Sequence, residues 1–126
     1  MSDSFAPGLY TTAAPPDAVA ADWRLAGWSP RILRVDLVDH EDAKRQVIRA
    51  VGASLGFPAS YGANLDALWD GLRDVPGSTV LIWVGGSKFA DAHPGVWDAV
   101  GATLVERTRS RSPFAVVLCG TGAPHV

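Results

Sequence analysis

Two uninterrupted apolar runs constrain this chain more than any other feature: Thr79–Val84 (Thr-Val-Leu-Ile-Trp-Val) and Phe114–Cys119 (Phe-Ala-Val-Val-Leu-Cys). Neither alternates polar and apolar residues, so neither suits a strand with one wet face. Such runs fit strands covered on both sides, the usual condition of a parallel sheet. Residues 32–38 mix Ile32, Leu33, Val35, Leu37 and Val38 with Arg34 and Asp36, and read as a first strand. Parallel strands need crossover connections, and helical patterns lie between these three. Asp39 is a plausible cap for a helix in which Ala43, Val47, Ile48, Val51 and Leu55 repeat with helical period, stopped by Gly56 and Pro58. A second helix runs from Leu65 to about Asp74, and a third opens at Pro94 with Val96, Trp97, Val100 and Leu104 as its core face and Arg107, Arg109 and Arg111 at its close. Gly85-Gly86-Ser87-Lys88 lacks the spacing of a phosphate-cradling loop and reads as an ordinary connection. The expected fold is therefore α/β, a small three-stranded parallel sheet packed by helices through right-handed crossovers, spanning residues 31–126.

Residues 1–30 form an N-terminal extension in this reading. Ser, Thr, Pro, Gly and Ala dominate residues 1–16, which suggests a partly flexible or loosely docked arm. A short helix over residues 17–25 follows, and Trp23, Leu25 and Trp28 are too apolar to stay in solvent.

The chain has 126 residues, 48% of them hydrophobic, enough for one domain with a substantial core. A formal net charge of −2 gives no electrostatic footprint for nucleic acid. The longest apolar runs are too short to span a membrane. With one cysteine, Cys119, and no leader pattern, a soluble cytoplasmic protein is expected. His40, His93 and His125 are scattered, and Cys119 ends an apolar run, so no nucleophile–base constellation is visible.

The chemistry-bearing stretch is residues 61–72, Tyr-Gly-Ala-Asn-Leu-Asp-Ala-Leu-Trp-Asp-Gly-Leu. Asn64 is a good N-cap, able to accept a backbone N–H from the first turn. Leu65, Leu68, Trp69 and Leu72 fall on one helical stripe, and Asp66 and Asp70, four residues apart, lie beside it. Two like charges at this spacing repel by a few tenths of a kcal/mol. An isolated pair of this kind is usually a solvated helix face; the aromatic, glycine-bearing loop that feeds the helix raises the functional reading, but composition alone does not carry it. Two chemistries suit the pair. The carboxylates could hold Mg²⁺ with substrate phosphates in a phosphate-handling enzyme, although only Arg73 is at hand to hold the phosphate. Alternatively they face cationic groups of a partner through charge-assisted hydrogen bonds.

The run from residue 57 to residue 70, and most specifically Tyr61-Gly62-Ala63-Asn64-Leu65-Asp66-Ala67-Leu68-Trp69-Asp70, resembles the inhibitory segment of the barstar family of intracellular ribonuclease inhibitors. The pattern extends more loosely from Ile32 to Cys119. The resemblance implies the same parallel α/β fold, no catalysis, no cofactor and no bound metal. It implies a 1:1 complex with a secreted, barnase-like, guanyl-specific microbial ribonuclease, with the protein a monomer when free. An immunity role against a different toxin is the related alternative. The partner-binding set it implies is Ser60, Tyr61, Gly62, Asn64, Asp66, Asp70, Arg73 and Glu106, with Asp70 dominant, Asp66 second and Glu106 a further acidic contact. Three positions depart from the family pattern: Ser60 stands where an aromatic is usual, Gly71 where the helix carries a larger residue, and Arg73 in place of a small polar residue. These departures imply a different partner or a lower affinity.

Overall fold

A computed structural model describes residues 5–34, 42–58, 62 and 64–119. The elements in chain order are β1 (Gly8–Thr12), α1 (Pro16–Leu25), β2 (Ser29–Arg34), α2 (Ala43–Leu55), α3 (Leu65–Arg73), β3 (Thr79–Val84), α4 (Gly86–Ala92), α5 (Pro94–Thr108) and β4 (Phe114–Cys119). The sheet has the order β1-β4-β3-β2, and every pairing is parallel. The expected α/β class and parallel sheet hold, but there are four strands instead of three. The fourth is β1, which pairs Gly8–Thr12 with Ala115–Cys119 at the sheet edge, where a loosely docked arm was expected. β2 begins at Ser29, three residues before the expected start at Ile32, and the far end of the expected strand lies outside the described residues.

The apolar runs sit at the centre of the sheet as β3 and β4. Five of the six residues of β3 and all six of β4 are buried. Their side chains feed two separate cores. On one face, Leu81, Trp83, Phe114, Val116 and Leu118 meet Val47, Ile48 and Val51 of α2, Leu68 and Leu72 of α3, and Val100 and Leu104 of α5. On the other, Val80, Ile82, Ala115, Val117 and Cys119 meet Val19, Ala20 and Trp23 of α1, with Trp28. Trp23 is the hub of this second layer. Its ring makes edge contacts with Phe5 and Trp28 at 5.1 and 4.9 Å between centroids. Burial pushes the Cys119 thiol pKa up, which makes it a small hydrophobe and a poor nucleophile. Among the described residues no helix is long and apolar enough to cross a membrane.

The helix stop signals act as the sequence suggests. Gly56 takes the left-handed conformation (φ 80°) after α2, and the Phe57 N–H donates to the Gly52 carbonyl at 2.8 Å, a Schellman closure. The start of α2 differs from expectation: the cap position is Asp42, and Asp39 lies outside the described residues. The expected loop at Gly86 is the seven-residue helix α4. Phe89 is the one large apolar residue in it, packed on Trp83 at 5.5 Å, and a single anchor leaves no periodic pattern to read.

Arg107 corrects a different expectation. Its place near the end of α5 suggested a dipole-complementing surface cation, yet it is 1% exposed. Its Nε donates to the Leu72 carbonyl at 2.6 Å, Nη2 to the Val75 carbonyl at 2.9 Å, and Nη1 to the Ser112 carbonyl at 2.7 Å. The guanidinium also lies 4.9 Å from the centroid of the Phe114 ring. Desolvation lowers its pKa, and no carboxylate pairs with it among the described residues. One side chain thus joins the end of α3, the turn after it and the approach to β4. Arg107→Met keeps most of the stem but removes three charge-assisted hydrogen bonds, leaving the Leu72 carbonyl only its backbone donors, so it should cost about 3 kcal/mol of unfolding free energy. Arg107→Lys should recover only part, because an ammonium cannot reproduce the planar fork. Urea unfolding with an unchanged slope would check both.

Candidate inhibitory edge on the third helix

α3 begins where Asn64 places it. The Asn64 side-chain oxygen accepts the Ala67 N–H at 2.8 Å, and its carbonyl accepts the Leu68 N–H at 2.9 Å. Leu68 and Leu72 are fully buried, Leu65 packs partly buried on the same core, and Trp69, expected inside, is half-buried. With the apolar stripe fixed inward, Asp66 and Asp70 fall in solvent as the helical count requires. Asp66 has no ion-pair partner among the described residues. Asp70 has one: Arg73 Nη1 lies 3.8 Å from its Oδ1. That distance is beyond hydrogen-bonding range, and the two side chains are 75% and 63% exposed. An exposed i,i+3 pair contributes about 0.5 kcal/mol or less, so Arg73 weakly shields Asp70 and does not sequester it.

Glu106 is exposed on α5, 4.0 Å from Arg109 in another open i,i+3 pair. α5 packs against α3, and the next residue, Arg107, is bonded to the end of α3. The acids of the expected site therefore belong to two neighbouring helices. With Arg107 turned inside, Arg109 and Arg111 are the cations left exposed near Glu106. Gly62 is described and exposed, with Asn64 Nδ2 3.3 Å from where its Cβ would be. Ser60 and Tyr61 lie outside the described residues.

Gly71, an apparent flaw in the helix, has a packing reason. The Phe57 ring lies directly against its Cα, and a Cβ there would meet Cε2 and Cζ of that ring well inside van der Waals contact. Phe57 is partly buried against the main core. The missing methyl lets the chain leaving α2 lie close to α3. Nothing in the local sequence pairs residue 57 with residue 71, so only the fold reveals the contact.

With this geometry in place, comparison with known families is decisive for class. The model of the family described as barstar (barnase inhibitor) matches residues 31–119, well over half of the chain. The chain belongs to the barstar family. No curated protein matches it. Family membership implies an inhibitor's or immunity protein's role with an enzyme as partner.

The Phe57–Gly71 contact makes a sign-changing prediction. In the wild-type background Gly71→Ala gains about 1 kcal/mol of helix propensity but overpacks by about 1–3 kcal/mol, for a net loss. In a Phe57→Ala background the clash is gone, and Gly71→Ala should stabilise. A double-mutant cycle of unfolding free energies measures the reversal.

Proposed function

We propose that this protein is a stoichiometric inhibitor of a small microbial ribonuclease, of the guanyl-specific kind, and that the acidic edge of α3 blocks the enzyme's active site. The observation that carries this reading is the pair Asp66 and Asp70, held in solvent on an Asn64-capped, core-anchored helix in a chain of the barstar family. A ribonuclease cleft must be cationic, because it stabilises a phosphodiester and the charge that develops on it during cleavage. Carboxylates on a rigid helix stand in for those anionic oxygens and can take charge-assisted, partly bidentate hydrogen bonds from arginine and lysine. Because α3 is fixed before binding, little ordering entropy opposes the complex. Asp70 is the main contact in this proposal and Asp66 the second. Ser60, Tyr61, Gly62, Asn64, Arg73 and Glu106 complete the partner-binding set in this proposal, with Ser60 and Tyr61 outside the described residues. The protein acts as a free monomer in the cytoplasm of the producing cell and forms a 1:1 complex with its target.

Titration of barnase, as a basic guanyl-specific ribonuclease, should reach complete inhibition near one equivalent, and chelator should not change it. Asp70→Ala should weaken the complex by more than about 2 kcal/mol, the general threshold of a hot spot, for which the barnase–barstar pair is a standard example. Its melting temperature should stay close to wild type. A complex indifferent to Asp70→Ala would place the contact elsewhere on the molecule. The association rate should fall as salt rises, since complementary charge speeds encounter and is screened.

A further inference from the structure

A groove of about 500 Å³ runs beside α3, between that helix and the chain leaving α2. Phe57, Pro58 and Val75 give it apolar walls, the Phe57 ring lies against Gly71, and Asp70 and Asp74 are the two charged residues that line it. No cationic side chain lines it among the described residues. Asp74 is exposed and, among the described residues, has no ion-pair partner. It is also the C-cap of α3, with φ −94° and ψ −3°. A carboxylate there faces the negative end of the helix dipole, the unfavourable place for an anion. Helix stability does not account for it.

Resting on the inhibitory reading above, we propose that Asp74 is a specificity-determining residue and that this groove receives one arginine side chain of the ribonuclease partner. The two carboxylates stand four residues apart, about 6 Å along the helix axis. A guanidinium has five donors in a planar fork and can bond both. Its aliphatic stem and flat face suit the Phe57 and Pro58 walls, where a ring supports a cation from below. Lysine offers the charge without the plane and fits less well. Gly71 matters again here: any side chain at that position displaces Phe57 and with it one wall of the groove. Asp74 thus extends the row Asp66, Asp70 by one turn and gives the edge a second point of attachment beyond Asp70.

The test has two arms on the full chain. In the first, a tetra-arginine peptide is titrated while backbone amide resonances are followed. Shifts should concentrate at Gly62, Asp70, Gly71 and Asp74, and Asp74→Asn should abolish most of them. Shifts absent, or spread evenly over all exposed acids, overturn the groove. In the second arm, barnase affinity is measured for wild type, Asp74→Asn and Asp70→Ala. Asp74→Asn should weaken binding about tenfold, with the melting temperature moved by less than about 3 °C, as for an exposed substitution. If Asp70→Ala weakens the complex and Asp74→Asn does not, the groove is wrong and the inhibitory reading stands. If the wild type does not bind barnase while the peptide shifts localise as described, the groove stands and the assignment of a barnase-like partner falls.

Discussion

The arrangement of the acidic edge depends on one buried cation. Arg107 has given up water for three backbone carbonyls and an aromatic face. A buried charge without an opposite charge is costly unless its donors are satisfied, and here a fork with fixed geometry finds acceptors at Leu72, Val75 and Ser112. Those carbonyls belong to chain segments that no ladder of secondary structure connects. The same contact reinforces the end of α3, where the Leu72 carbonyl also accepts the Val75 N–H at 3.1 Å. α3 is therefore held at three places: by Asn64 at its start, by Phe57 against Gly71 on its flank and by Arg107 at its finish. A short helix of nine residues would be marginal in isolation; clamped in this way it is a rigid mount for Asp66 and Asp70.

The other requirement is that the central strands be dry on both sides. The helices α2, α3 and α5 cover one face only. The second face is closed by α1, whose Val19, Ala20 and Trp23 share one core with Val80, Ile82, Ala115 and Val117. This layer lies before residue 31, outside the span matched by the family model. The family span therefore supplies the edge and its supports, while the preceding residues supply the cover that lets β3 and β4 be apolar throughout. Leu25 at the end of α1 stays 88% exposed, so the fit of this layer to the sheet is closed by Trp23 and Trp28 and not by the last turn.

What could be read from the sequence was whatever is local. The strands β3 and β4, the closure of α2 at Gly56, the Asn64 cap and the outward placement of Asp66 and Asp70 all follow from residues within a few positions of each other. What could not be read is tertiary. Gly71 looked like a helix defect because Phe57, fourteen positions earlier, is its reason. Arg107 looked like a surface cation because its acceptors lie 5 to 35 residues away. The N-terminal strand is the instructive miss. The unbroken apolar character of Thr79–Val84 and Phe114–Cys119 already required a cover on the second face, and no helical pattern after residue 31 was free to provide it. That cover is the helix expected over residues 17–25, with Trp23 and Trp28; the strand β1 left no such signal, because its five residues lie half-exposed at the sheet edge.

The balance of charge on the edge is set by how little Arg73 does. At 4 Å in water two unit charges attract by about 1 kcal/mol, and holding two long, exposed side chains together consumes most of that. The observed pair is this case, open on both sides and longer than a hydrogen bond. A partner's guanidinium that meets the same carboxylate through direct, bidentate hydrogen bonds makes a stronger contact than this open pair. In the proposed complex Asp70 exchanges Arg73 for an intermolecular partner, and Arg73 is left at the rim. There its positive charge repels a cationic enzyme slightly and favours an enzyme with an acid or a neutral surface at that point. Because a rim charge acts mainly on encounter and register, Arg73 bears, under the proposed inhibitory role, on which enzyme is chosen more than on how tightly the chosen one is held.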